Sequence, residues 1–173
     1  MKSRGFTLIE LLVVISIIGL LSSVVLASLN SARIKARDAK RLADMQQLQT
    51  ALDFYYDKFG TYPAPNSDAG ANFCGGWDAT VDGVFVSALS ANNFLPGVAK
   101  DPKGEAVCGN YAYYHYSATP ASPYNGCTKD FYVIGVRDME GSVGRYPTSP
   151  GFACNAALRN WQDEFDWVTG KFD

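Results

Sequence analysis

The stretch Met1-Lys-Ser-Arg-Gly5-Phe-Thr-Leu-Ile-Glu10 leads into a run from Leu11 to Leu29 that contains no charged residue. At about 1.5 Å per residue, a helix over residues 6–29 is roughly 36 Å long, which exceeds the roughly 30 Å hydrocarbon core of a bilayer. The whole chain has a mean hydropathy of -0.06, so the remainder has the composition of a water-soluble domain. The sequence therefore predicts one membrane-spanning helix followed by a globular part.

Glu10 is the one carboxylate at the edge of this apolar run. A charged side chain costs about 2.5 to 3.5 kcal/mol at the centre of a membrane helix on insertion scales, so Glu10 requires a partner or access to the interface. A second copy of the chain is the partner that we expect. The alternative is a carboxylate that reaches the membrane surface alone.

An ordinary secretory signal is a competing interpretation of this N-terminus. Lys2 and Arg4 form a basic start, residues 11–21 form an apolar core, and Val25-Leu26-Ala27 supplies a small-residue cleavage site. Cleavage there leaves a secreted soluble domain. Glu10 interrupts the start of that core, however, and the helical pattern continues past Ala27.

The segment from Lys2 to Leu12 resembles the prepilin signature of type IV pilins and type II secretion pseudopilins. The resemblance implies that a prepilin peptidase cuts after Gly5 and methylates Phe6, while the apolar segment stays attached. It also implies that Glu10 neutralises the Phe6 amine of a neighbouring subunit. Gly19 is either a flexible point of the helix or, because it has no side chain, a position at which neighbouring helices pack closely during assembly.

Helical periodicity continues beyond the apolar run. Apolar residues recur at spacings of three and four, which is typical of an amphipathic helix with one buried face: Leu42, Met45, Leu48, Leu52, Tyr55 and Phe59. No proline occurs in residues 6–59, and Gly60 follows, so one helix of about 80 Å is expected. The predicted parts are a leader (1–5), a transmembrane and polymerisation helix (6–29), an amphipathic stem helix (30–60) and a globular head (61–173).

Charges change sign along the chain. Residues 30–41 contain five basic residues and one acidic residue, whereas residues 42–173 contain eight basic and fifteen acidic residues. The basic group, which we call the collar, consists of Arg33, Lys35, Arg37, Lys40 and Arg41. It is suited either to the acidic surface of a neighbouring subunit or to anionic lipid headgroups. The acidic head argues against nucleic-acid binding.

The head contains four cysteines, Cys74, Cys108, Cys127 and Cys154. An even number in an exported domain predicts two disulfides, for which three connectivities are possible; the alternative is four thiols in a reducing compartment. No Cys-x-x-Cys occurs and His115 is the only histidine, so we expect no zinc site.

Two runs in the head have the composition of short strands. Residues 111–116 and 131–136 are rich in aromatic and β-branched residues, and Asn125-Gly126 between them is a candidate hairpin turn. Residues 63–84 are expected to be a loop with little regular structure. The predicted fold class is α+β, with a small antiparallel sheet of three or four strands packed on the stem helix.

The resemblance extends into the head. Phe59-Gly-Thr-Tyr-Pro63 and Asp101-Pro-Lys-Gly104 are similar to segments of the major, or G-type, pseudopilin. That subunit has a calcium site in a late acidic loop, which implies Asp138, Glu140, Asp163 and Asp166 as candidate ligands here. Calcium needs six to eight oxygen ligands at one point and neither acidic group is an EF-hand, so a solvated acidic surface is the competing interpretation.

An enzymatic function is not expected, because the single histidine lies in a tyrosine-rich strand and no nucleophile elbow or phosphate-binding glycine loop occurs. An exported binding module, such as an adhesive or DNA-uptake minor pilin, is the alternative. It requires exposed aromatic side chains among Tyr113, Tyr114, Tyr116, Trp161 and Trp167.

The expected role is a structural filament subunit without a cofactor, anchored in the inner membrane with its head outside the cytoplasm. The expected location after assembly is a periplasmic or extracellular filament. A count of basic residues on either side of the apolar run favours the opposite orientation, and the prepilin resemblance and the cysteines outweigh that count. The resemblance implies as partners copies of the same chain, other pilins or pseudopilins, prepilin peptidase, an inner-membrane platform protein, a cytoplasmic assembly ATPase and membrane lipid. A pilus, a secretion pseudopilus and a DNA-uptake filament all fit the sequence.

Overall fold

The computed structural model describes residues 7–66, 76–79, 85–104 and 108–173. The chain divides into two compact units, residues 1–36 and residues 37–173. The first helix, α1 (Leu8–Phe59), contributes residues to both units. The remaining elements are β1 (Asp78–Ala79), α2 (Ser87–Ala91), β2 (Tyr111–Tyr116), β3 (Phe131–Val136), a 3₁₀ turn (Trp161–Asp163) and β4 (Trp167–Phe172).

The predicted long helix is confirmed, and its second half buries the predicted face. Met45, Leu48 and Leu52 are at most 1 % exposed, because their spacing of three and four places them on one side of α1. Phe59, which was predicted to continue this stripe, is instead 45 % exposed at the end of the helix. Gly60 ends α1 with a φ of +73°, and its N–H donates to the Tyr56 carbonyl oxygen at 2.7 Å.

The sheet is antiparallel and has four strands in the order β1-β2-β3-β4. In the β2 and β3 ladder, Tyr111 pairs with Val136 and Tyr116 pairs with Phe131. β3 is buried along its whole length because the sheet is covered on both faces. One face packs on α1 through Tyr111, Tyr113 and Ile134. The other face is covered by a second apolar cluster around Trp161, Phe165 and Val168.

Two elements of the sheet were missed in the sequence. β1 lies within the segment 63–84 that was expected to be irregular, although it is only two residues long. β4 has Gly170 and Lys171 in its second half, and these residues weaken the β-strand pattern. The strands β2 and β3 have the predicted bounds.

The turn predicted at Asn125-Gly126 is present. Asn125 and Gly126 have φ values of +47° and +88°, and Tyr124 and Cys127 exchange two backbone hydrogen bonds of 2.9 Å. Positive φ at both central residues is the condition for the tight turn that Asn-Gly favours. The turn closes a small loop inside the connection between β2 and β3, so it does not join these strands directly.

Candidate functional site

The first unit presents a long, largely apolar surface on the N-terminal half of α1. An 18-residue window of α1 has a mean hydropathy of 2.6, is long and apolar enough to cross a membrane, and is not buried by any of the residues that the structure describes. Its large side chains are 42 to 88 % exposed: Leu8, Ile9, Leu11, Leu12, Val13, Val14, Ile15, Ile17, Ile18, Leu20, Leu21, Val24, Val25, Leu26 and Leu29. An apolar patch of this extent in water calls for lipid or other protein to cover it.

Glu10 lies in the first turn of α1 and forms a capping box with Thr7. The Thr7 backbone N–H donates to Glu10 Oε2 at 2.8 Å, and the Thr7 hydroxyl donates to the same oxygen at 2.6 Å. The Glu10 N–H in turn donates to Thr7 Oγ1 at 3.3 Å. The carboxylate thus has local partners, while its position at the N-terminal end of the helix is also electrostatically favourable. Gly5 and Phe6 lie outside the described residues.

Polar side chains within the apolar run bond to the helix itself. The hydroxyls of Ser16, Ser23 and Ser28 donate to carbonyl oxygens one turn earlier, at 2.7 to 2.9 Å. Satisfying polar groups within the segment is what a hydrocarbon environment demands. At Gly19 an added Cβ would meet nothing within 4 Å, so the surface there is open to close approach by another helix.

Most of the collar pairs with residues of its own chain. Arg41 is 1 % exposed and bonds to Asp38, Asp101 and Glu140 at 2.7 to 2.8 Å. Arg37 holds Glu140 through two hydrogen bonds of 2.8 and 2.6 Å. This arginine cluster joins α1 to two loops of the head. The expectation that the collar faces neighbouring subunits or lipid is therefore wrong for the buried Arg41, whereas Arg37 pairs with Glu140 but keeps 28 % of its side chain exposed.

The electrostatics of the arginine cluster match its geometry. Hydrogen bonds from Arg37 are the main cause that lowers the pKa of Glu140 to about 2, and Arg41 adds to that effect. Burial alone would lower the pKa of Arg41, but its bonds to Asp101 and Asp38 raise it. Arg41 and Glu140 therefore both stay ionised throughout the physiological pH range.

The other collar residues differ in their surroundings. Lys40 bonds to Asp44 at 2.8 Å, and Asp44 accepts a 2.8 Å hydrogen bond from the buried Tyr111 hydroxyl. Arg33 and Lys35 are exposed in the first unit. These two residues are the part of the collar that remains available for an outside partner.

One disulfide joins Cys127 and Cys154, which settles part of the connectivity that the sequence left open. Cys108 is also in a disulfide. Cys74 lies outside the described residues. The Cys127–Cys154 bridge ties the loop before β3 to the long connection between β3 and β4.

The four candidate calcium ligands do not converge. Glu140 is paired with arginines, and Asp166 Oδ2 accepts the Met139 N–H at 2.8 Å. Asp163 lies in the 3₁₀ turn. Burial raises the pKa of Asp166, and the charge of Asp138 adds to the rise. Within the described ranges, the one group of three His, Cys, Asp or Glu ligand atoms close enough to hold a metal is formed by other residues, His115, Asp130 and Asp173.

The aromatic side chains considered for ligand binding are mostly in the core. Tyr113 and Trp161 are fully buried, and Tyr116 and Trp167 are at most 7 % exposed. Only Tyr114 is partly accessible. The aromatic surface that a binding module requires is therefore not formed by these residues.

Comparison with known proteins gives four consistent similarities, to one family and to three relatives. Residues 1–26 match the family described as the prokaryotic N-terminal methylation motif. The type II secretion system core protein G of Escherichia coli K12 is 36 % identical over 107 residues, covering 60 % of this chain and 68 % of the relative. The core protein G of Vibrio cholerae is 30 % identical over 148 residues, covering 83 % and 87 %.

A third relative extends the similarity to pili. The type IV major pilin protein PilE of Neisseria gonorrhoeae is 34 % identical over 92 residues, which cover 52 % of each chain. No solved structure matches this chain.

Proposed function

This chain belongs to the family of type IV pilins and type II secretion pseudopilins, and we propose that it is a structural subunit polymerised into a filament through its N-terminal helix. The observation that carries the proposal is the exposed apolar half of α1, which no other part of the described chain covers. Membrane lipid covers this surface before assembly, and the helices of other subunits cover it afterwards.

Processing of the N-terminus is the first step of the proposed function. Prepilin peptidase cuts after Gly5 and methylates Phe6, and the match of residues 1–26 to the methylation motif supports this order. Glu10 then exchanges its bonds to Thr7 for the Phe6 amine of a neighbouring subunit. This ion pair fixes the register of the filament more than it stabilises it.

The head has a structural role in this proposal. Its aromatic side chains are used in two cores rather than on a binding surface, which supports a shaft subunit over an adhesive one. The similarity to core protein G covers more of the chain than the similarity to the type IV pilin, which supports a secretion pseudopilus. The further partners that we propose are the inner-membrane platform protein and the cytoplasmic assembly ATPase of such a system.

Intact-mass analysis of the chain isolated from its native membrane tests the processing step. We expect the mass to lack Met1 to Gly5 and to include one added methyl group. A chain that starts near Ser28 would support an ordinary secretory signal and contradict the proposal.

Replacement of Glu10 tests polymerisation. We expect Glu10→Ala to insert in the membrane normally and to form no filaments, because the neighbouring Phe6 amine loses its counter-charge. Asp57→Ala is the control, since it removes an exposed carboxylate from the same helix. Membrane fractionation and electron microscopy of sheared filaments provide the two measurements, and filaments of normal number from Glu10→Ala would refute the pairing role.

A further inference from the structure

Three side chains with metal-binding groups meet at one end of the sheet. His115 is in β2, Asp130 directly precedes β3, and Asp173 directly follows β4. The antiparallel ladder pairs Phe131 with Phe172, and the Asp173 N–H donates to the Asp130 carbonyl oxygen at 2.9 Å. The backbone register therefore fixes the positions of all three residues.

The separations of their ligand atoms are those of a small coordination site. One nitrogen or oxygen from each residue lies within 4.8 Å of the other two, and His115 Nε2 is 3.4 Å from Asp173 Oδ2. Around a tetrahedral zinc ion with bonds of about 2.0 to 2.2 Å, neighbouring ligand atoms are about 3.3 to 3.6 Å apart. The histidine and Asp173 already have this spacing.

A second observation points to a ligand at this place. His115 Nε2 and Asp173 Oδ1 are shielded from solvent and make no well-aligned hydrogen bond. The contact of His115 Nε2 with Asp173 Oδ2 at 3.4 Å is an ion pair only when the imidazole is protonated, and the two side chains are 12 % and 18 % exposed. Buried polar atoms are normally paired, and each exception calls for an explanation. A cation between the three residues gives His115 Nε2 a partner and neutralises two adjacent carboxylates.

The surroundings hold the ligands in place. Asp130 Oδ1 accepts the Ala118 N–H at 2.7 Å, which orients that carboxylate and leaves its second oxygen for a metal. The Tyr62 ring lies edge-on to the His115 imidazole with centroids 6.2 Å apart, so the imidazole is also packed against a buried aromatic residue.

We propose that His115, Asp130 and Asp173 bind a zinc ion that ties together the ends of β2, β3 and β4. Imidazole nitrogen is a favoured zinc ligand, whereas calcium takes six to eight oxygen ligands, so the chemistry of the site selects zinc over calcium. A water molecule fills the fourth position. The site is separate from the acidic residues considered above for calcium. It also departs from the sequence-based expectation of no zinc site, which considered cysteine pairs and a second histidine but not two aspartates beside His115.

Metal titration of the full-length chain in detergent, without a polyhistidine tag and after chelator treatment, tests the site. We expect one equivalent of Co²⁺ to give the visible absorption of a tetrahedral complex and Zn²⁺ to displace it. Zinc should raise the unfolding temperature while calcium at the same concentration should not, because only a ligand that binds the folded state stabilises it. The absence of cobalt uptake, or an equal effect of calcium, would overturn the proposal.

Variants assign the binding to these residues. Asp173→Asn and His115→Gln should each weaken zinc affinity about tenfold or more, whereas Asp57→Asn, which alters an exposed carboxylate outside the site, should leave it unchanged. Zinc affinity of Asp173→Asn equal to that of the parent would exclude the site.

A measurement on the unmodified sequence remains decisive if these variants do not fold. His115 is the only histidine, so its modification by diethyl pyrocarbonate reports on this site alone. Zinc should slow the reaction strongly, and an unchanged rate at saturating zinc would refute the proposal.

Discussion

Arg41 shows at the scale of one residue how the head is attached to its helix. Its guanidinium is buried among three carboxylates, and each of them lies on a different part of the second unit. A buried ion pair adds little net stability, but removing one member leaves charges without compensation. The role of Arg41 is therefore to fix where the loops containing Asp101 and Glu140 meet α1.

Replacing Arg41 with alanine should lower the free energy of unfolding of the head by about 3 to 5 kcal/mol, because Asp38 and Asp101 then remain buried without a cation. Arg33→Ala, at an exposed position of the same helix, should change it by less than about 0.5 kcal/mol. Chemical denaturation of the solubilised chain measures both. Equal effects of the two substitutions would show that the arginine cluster does not fix the loops.

Glu140 makes the stability of the head dependent on pH. Its pKa in the folded protein is lowered from 4.5 to about 2 by Arg37 and Arg41. A lowered pKa means that its contribution is complete above about pH 4.5 and is lost as the pH falls toward 2. Thermal unfolding measured across this window should show a smaller loss for Glu140→Gln than for the parent chain.

Glu164→Gln is the control for this pH effect. It removes the carboxylate that pairs with Arg159 on the surface and leaves the arginine cluster intact. We expect its stability to fall with pH as in the parent. A parallel profile for Glu140→Gln would mean that other groups cause the acid sensitivity.

At the scale of elements, the sequence predicted those helices and strands whose own residues form a recognisable local pattern. The spacing of apolar residues predicted α1, and the aromatic and β-branched runs predicted β2 and β3 with their bounds. β1 and β4 were missed because they acquire strand geometry from pairing with β2 and β3 rather than from their own composition.

The candidate sites also divide into those formed by neighbouring residues in the sequence, which could be predicted, and those formed by distant residues, which could not. The N-terminal motif is contiguous, so the sequence alone was enough to propose assembly roles for Glu10 and Gly19, and those roles remain predictions. The partners of Arg41 are 60 residues away at Asp101 and nearly 100 away at Glu140, and no local signal links them. The assembly of His115, Asp130 and Asp173 likewise depends on the order of the strands.

Gly170 in strand β4 packs so closely against its neighbours that the space there does not admit a side chain. A Cβ at Gly170 would lie 2.7 Å from both the Phe152 ring and the Tyr132 carbonyl oxygen. Gly170→Ala should therefore destabilise the head by about 1 to 3 kcal/mol, the usual cost of overpacking. Gly97→Ala is the matched control, because its Cβ would meet nothing within 4 Å. Denaturation midpoints compare the two, and the same midpoint for both would contradict the packing argument.

At the scale of the whole molecule, the second unit has two apolar cores on opposite faces of one small sheet. The first core is closed by α1. The second is closed by the long connection between β3 and β4, whose only regular element is the short 3₁₀ turn at Trp161. A covering layer with so little regular structure depends on cross-links to hold it in place.

The Cys127–Cys154 disulfide is the cross-link that holds this layer, and the last prediction concerns its loss. The bridge closes a loop with a sequence separation of 27, which corresponds to about 3 to 4 kcal/mol in the chain-entropy account. The double variant Cys127→Ala/Cys154→Ala should lose that much stability and should expose Trp161, which is now completely buried.

Denaturation of this double variant, followed by tryptophan fluorescence and by far-ultraviolet circular dichroism, separates the loss of stability from the exposure of Trp161. Loss of the fluorescence signal at lower denaturant than the helical signal is expected, because the second core opens while α1 keeps its own packing. Coincident and unshifted transitions would show that Trp161 and Phe165 hold the covering layer without the bridge.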